Sequence, residues 1–174
     1  MFTLGAWLHD LDPFAIRFTD SFGIRWYGLA YIAGFAAAWL MLRALAVRGL
    51  IRLSAASVSD LIMGVVIGTL LGGRLGYAIF YMPSLFVTWL DHAPWWGLLA
   101  INEGGMSSHG GLIGVVIACV WFARREALPV LHITDCISLV APIGIFFGRI
   151  ANFVNGELLG AIAARPGEPA PWWA

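Results

Sequence analysis

Four side chains that ordinarily avoid hydrocarbon, Tyr27, Arg74, His109 and Arg149, interrupt or border long apolar runs in this 174-residue chain. An ionisable group inside such a run is costly to keep there and is a functional hypothesis by default. Arginine offers a planar fork of donors that suits phosphate. Arg149 is followed three positions later by Asn152, so the two share a helix face. Asn155-Gly156 is a turn signal that should end that helix, leaving Glu157 just past the end, able to pair with an arginine or orient a ligand. Histidine at position 109 could take up a proton near neutral pH. Plainer readings stand beside these. Arg74 could pair with Glu157 or Glu103. His109, in Ser107-Ser108-His109-Gly110-Gly111, could belong to a helix cap. Tyr27, beside Trp26, could be part of an aromatic belt. His9, His92 and His132 read as solvated interfacial residues, and Cys119 and Cys136 as small buried ones.

The elements that must position these groups are membrane helices. Sixty per cent of residues are hydrophobic and 11% are charged, where a soluble domain carries about a quarter. Ten basic residues, all arginine, balance ten acidic ones, so no basic excess points to nucleic acid. A spanning helix needs roughly 20 apolar residues. Four runs qualify, at about Ile24–Leu42, Val58–Tyr81, Met106–Ala123 and Ile133–Val154. Between the second and third lies an apolar stretch, Ser84 to Ala100, broken by Asp91, His92 and Pro94. Its Trp89, Trp95 and Trp96 suit the headgroup level, predicting an interfacial loop or short helix. Gly64, Gly68, Gly72 and Gly76 recur every four residues, which predicts a close-packing seam on the second helix. The expected fold is an all-α polytopic bundle of about four transmembrane helices with an interfacial segment, forming a single membrane domain over residues 1–174. The opening residues lack the basic start of a cleavable signal.

Arginine asymmetry sets the orientation. Arg43, Arg48 and Arg52 follow the first span and Arg124 and Arg125 the third, which makes that face cytoplasmic. The opposite face holds Asp10, Asp12, Asp20, Asp91 and Glu103 beside Arg17 and Arg25, so the N-terminus is expected outside. At about 1.5 Å per residue, the spans then carry Tyr27, Arg74, His109 and Arg149 to one outer level. Asp60 and Asp135 fall on the other side. Two arginines at that depth need an anion, and a phosphate in the outer leaflet suggests a phospholipid headgroup.

The stretch Gly148-Arg149-Ile150-Ala151-Asn152-Phe153-Val154-Asn155-Gly156-Glu157 resembles the signature of prolipoprotein diacylglyceryl transferases. Arg25-Trp26-Tyr27-Gly28, Gly72-Gly73-Arg74-Leu75-Gly76-Tyr77 and Gly104-Gly105-Met106-Ser107-Ser108-His109-Gly110-Gly111 match the same family in the same order, and Asp12-Pro13 fits as well. Ala151 stands where the signature usually has glycine, and Leu159 where an aromatic residue is common. The family has seven spans, so this chain resembles its N-terminal part and reads as a fragment or a degenerate copy.

The resemblance implies a multi-pass enzyme of the bacterial inner membrane with a periplasmic N-terminus. It would move the diacylglyceryl group of phosphatidylglycerol to the lipobox cysteine of a prolipoprotein, with no cofactor and no metal. It implies catalytic roles for His109, Tyr27 and Arg149. Arg149, Asn152, Asn155, Glu157, Arg74 and Gly160 would contact the headgroup. An anion transporter or channel lined by Arg74 and Arg149 is the competing reading, but it demands polar residues through both leaflets. An inert membrane fragment is the third.

The orientation is checked by single cysteines, Ser84→Cys and Ser54→Cys, in a background lacking Cys119 and Cys136. An impermeant thiol reagent should reach the two from opposite sides of the membrane. Labelling from one side would contradict the arginine argument.

Overall fold

The computed structural model describes residues 11–18, 23–101 and 104–157. Within them a short antiparallel hairpin, β1 (Phe14–Arg17) and β2 (Gly23–Arg25), precedes four helices. These are α1 (Trp26–Val47), α2 (Ala55–Phe80), α3 (Ser108–Arg125) and α4 (Val130–Val154). The all-α membrane bundle expected from the sequence is therefore present, with the hairpin added to it. Helices α1, α2 and α4 are long and apolar enough to cross a bilayer. Helix α3 has 18 residues, about 27 Å at 1.5 Å per residue, and polar residues at both ends, Ser108-His109 and Arg124-Arg125. Large apolar side chains such as Ile32, Leu71, Ile117, Leu131 and Ile145 are exposed on all four helices, which water would penalise and lipid would not.

The chain forms two compact units, residues 35–144 and residues 1–34 with 145–174. The larger unit is built on α2 packed against α3. Ser54 caps α2 by accepting from Ser57 N, and Ser107 caps α3 by accepting from Gly110 N, each satisfying an orphan amide. The glycine seam lies between these helices. A Cβ on Gly68 would come within 2.5 Å of Gly114 O, and one on Gly76 within 2.7 Å of the Gly110 Cα. Gly72 likewise faces Gly110 O. Gly64, the fourth member of the series, has open space around it and takes no part. Small residues thus let the two backbones touch.

At the arginine-rich end the larger unit has its apolar core. Leu42, Val58, Leu61, Cys119, Phe122 and Ile133 are almost wholly buried there. Polar ties surround this core. Arg125 pairs with Asp60 at 3.1 Å, Trp39 Nε1 donates to Ser59 Oγ at 3.0 Å, and His132 Nε2 accepts from Arg52 N at 3.1 Å. His132 therefore does more than meet solvent. The pairing of Asp60, near the start of α2, with Arg125, at the end of α3, also fixes these helices as antiparallel.

In the smaller unit Asp12 anchors the hairpin. Its carboxylate accepts from Phe14 N at 2.9 Å and from Arg17 Nη2 at 2.8 Å. The backbone bond, then the arginine, hold its pKa below the ordinary carboxylate range. Arg17 and Arg25 both lie over the Phe14 ring, and Trp26 N donates to Pro13 O at 3.1 Å, joining the hairpin to α1.

Gly114→Val should destabilise the larger unit by about 1–3 kcal/mol, the range for overpacking a tight contact. Gly64→Ala should be neutral or slightly stabilising. Thermal unfolding in detergent measures both, and equal effects would contradict the seam.

Candidate functional site

Arg74 is the one charged side chain buried among the described residues, at 5% exposure. It lies on α2 six residues before its end, and all five of its N–H donors are taken by backbone carbonyls. Nε donates to Leu98 O at 2.8 Å. One terminal nitrogen donates to Gly104 O and Gly105 O. The other donates to Gly97 O and Ala100 O. The 3-10 turn Gly97–Leu99 helps, because so short a turn leaves Leu98 O and Ala100 O without helical partners among the described residues, while Gly97 O accepts from both Ala100 N and Arg74. Gly104 and Gly105 follow in the left-handed region, φ +88° and +79°, which brings two more carbonyls round to the guanidinium. The sequence argument that Arg74 needs an anion is thus corrected. Its charge is met by carbonyl dipoles, and among the described residues it has no carboxylate partner.

The same segment leads into α3. Ser107 N donates to Gly73 O at 2.9 Å, and Ser107, itself buried, caps the helix. His109 is the second residue of α3. Its ring is exposed and makes no hydrogen bond or ion pair among the described residues. Arg74 and the start of α3 therefore lie at one end of the α2–α3 pair, with Asp60 and Arg125 at the other.

In the smaller unit, α4 ends as the Asn155-Gly156 signal predicts. Gly156 has φ +66°. Gly156 N donates to Phe153 O at 3.1 Å and Glu157 N to Asn152 O at 2.8 Å, the paired bonds of a Schellman turn. The turn folds Glu157 back over the helix end. Asn152 Nδ2 then donates to Glu157 Oε2 at 2.8 Å, and Asn155 Nδ2 donates to Glu157 Oε1 at 3.2 Å. Asn155 Oδ1 is buried and has no partner among the described residues. Arg149, three residues before Asn152, is exposed and likewise unpaired there. Tyr27, half-buried on the first turn of α1, lies 5.4 Å from the Tyr31 ring.

Beside these polar groups is an apolar groove of about 220 Å³, lined by Trp26, Leu29, Ala30 and Ala33 of α1 and by Phe147, Ile150, Ala151 and Val154 of α4. Neither Tyr27 nor Arg149 lines it. Asn152, Asn155 and Glu157 are thus brought together. Arg74 and His109 belong to the other unit, and Gly160 lies outside the described residues. Sequence reasoning missed the carbonyl cage of Arg74. Its signal was the glycine at 97 and the pair at 104–105, spaced to turn a loop back on itself.

Fold and site together define a polytopic membrane protein with a polar cluster at one helix end. The prolipoprotein diacylglyceryl transferase family profile matches residues 13–171. The chain belongs to that family. It is 52% identical over 162 residues to the phosphatidylglycerol–prolipoprotein diacylglyceryl transferase of Bdellovibrio bacteriovorus, covering 93% of this chain and 45% of the relative. It is 44% identical over 163 residues to the enzyme of that name from Rhodospirillum rubrum, covering 93% and 56%. The chain spans about half the length of the curated relatives it matches.

Gly156→Ala forces a side chain into the left-handed region, at about 1–2 kcal/mol. The Glu157 amide should then exchange with solvent about tenfold faster while the amides of α2 are unchanged. Unaltered exchange at Glu157 would show that the turn does not hold it.

Proposed function

We propose that the chain supplies the headgroup-binding half of a diacylglyceryl transferase acting in lipoprotein maturation. The donor is phosphatidylglycerol and the acceptor is the lipobox cysteine thiol of a prolipoprotein. The observation that carries this reading is the end of α4. There Arg149, unpaired among the described residues, stands one turn before Asn152, which with Asn155 grips Glu157, and the buried acceptor Asn155 Oδ1 has no partner among the described residues. A phosphoglycerol headgroup has both complements. Its phosphate suits Arg149 and its hydroxyls suit Asn155 Oδ1 and Glu157.

In this reading Tyr27, Arg149 and Asn152 border an outer-leaflet cavity for the headgroup, and His109 serves the thiol. The thiol loses its proton to His109 or to tyrosinate Tyr27, since the thiolate is the nucleophile. A sulfur–carbon bond forms at the glyceryl carbon as the carbon–oxygen bond to phosphate breaks, and glycerol phosphate leaves with the electron pair. Charge gathers on the departing phosphate, where Arg149 and Asn152 lower the barrier. The N-terminus faces the periplasm, so the cavity opens on the side where a translocated cysteine emerges. Arginine counts in the loops support that orientation.

The test compares the 174 residues alone with the same residues joined to the C-terminal half of the Bdellovibrio relative, in a strain depleted of its own transferase. The joined protein should restore growth and lipidate a lipobox peptide. Arg149→Ala in it should cut the rate at least about a hundredfold, the usual loss for one charge-stabilising donor. The 174 residues alone should be silent, because donors open to water lose the low-dielectric setting in which they count most. Failure of the joined protein would contradict the transferase reading. Rescue by the short chain would contradict the need for the remaining half.

A further inference from the structure

The five-carbonyl cage assigns Arg74 a role different from lipid binding. We propose that Arg74 is a positioning residue: it fixes the segment that delivers His109 and does not touch the substrate. A guanidinium has five donors, and here each is taken, by Leu98, Gly104, Gly105, Gly97 and Ala100. None is left to turn towards a headgroup unless the loop comes apart. The carbonyls belong to two stretches, 97–100 and 104–105, which are tied to α2 through this one side chain. Arg74 is therefore the staple that closes the loop.

The staple bears on His109 through a short, rigid path. Gly105 is held against Arg74 and Tyr77; a Cβ there would come within 2.8 Å of Arg74 Nη1 and 2.6 Å of the Tyr77 ring. Two residues later Ser107 N bonds to Gly73 O, next to Arg74 in the chain. Ser107 then caps α3 through Gly110 N, at 3.2 Å, and its carbonyl accepts from Gly111 N at 2.9 Å. His109 sits between the cap and these amides. Its ring has no bond of its own to hold it among the described residues, so its place is set by the backbone that bears it. Releasing Arg74 would let the start of α3 fray and would move the histidine. This inference rests on the transferase reading only for its activity arm.

Two variants test it. Arg74→Gln removes most of the donors, and Gly105→Ala pushes the loop off an intact Arg74. In the 174-residue chain in lipid nanodiscs, amide exchange at Ser107, Gly110 and Gly111 should rise about tenfold or more in both. Exchange in the core around Leu42 and Val58 should hold, which also shows that the variants fold. Should Arg74→Gln fail to fold, Gly105→Ala decides alone. Unchanged exchange at 107–111 would overturn the proposal. In the joined protein, kcat should fall about tenfold or more with KM for phosphatidylglycerol unchanged, the pattern of a lost transition-state geometry. A raised KM with kcat intact would make Arg74 a lipid ligand and overturn it too. If the joined protein is inactive with Arg74 intact, the transferase reading fails, and the exchange result still decides the positioning role.

Discussion

A guanidinium cannot shed its charge, and bare donors buried in a membrane protein cost several kcal/mol. Arg74 obliges the chain to bring carbonyls to it, and much of the larger unit is the answer. The stretches 97–100 and 104–105 are turned so that five oxygens converge. That bend requires a short 3-10 turn and two glycines at positive φ. The loop can reach Arg74 only because α3 returns in contact with α2, which in turn requires Gly68, Gly72, Gly110 and Gly114 to carry no side chain. The charge, the loop and the glycine seam are one structural solution.

The two ends of the α2–α3 pair are therefore chemically distinct. One holds a core of Leu42, Leu61, Phe122 and Ile133 fringed by exposed ion pairs such as Asp60–Arg125. Exposed pairs of this kind contribute little stability but fit a headgroup boundary. The other end keeps its single cation buried and its backbone carbonyls occupied. In the smaller unit the end of α4 shows the opposite economy. Arg149 is unpaired among the described residues, while Asn152 and Asn155 donate their amides to Glu157. A structural arginine and a free one are told apart by what their donors already hold.

Much of this was legible in the sequence. Apolar run length placed all four helices, and Ser54, Ser107 and Gly156 set ends within a few residues of those read from hydropathy. The Asn155-Gly156 turn was readable because its chemistry is local. The hairpin was not. Phe14–Arg17 and Gly23–Arg25 are too short for alternation to register, and their pairing depends on Asp12 and on packing of two arginines over Phe14. The role of Arg74 was hidden for a deeper reason. Its partners are backbone carbonyls, present at every residue and so without any signature of type. Likewise the spacing of Gly64 matched the seam, yet only its neighbours on α3 could show that the seam begins at Gly68.

The central claim is that the end of α4, Arg149 to Glu157, holds a phosphoglycerol headgroup. A phosphatidylglycerol analogue with a photoreactive diazirine on its terminal glycerol measures this directly, with the chain in a bilayer and adducts mapped by mass spectrometry. Adducts should appear on the peptide spanning Arg149 to Glu157, and unlabelled phosphatidylglycerol should compete them away. Adducts confined to the Arg43–Arg52 end, or spread evenly over the lipid-facing helices, would contradict it.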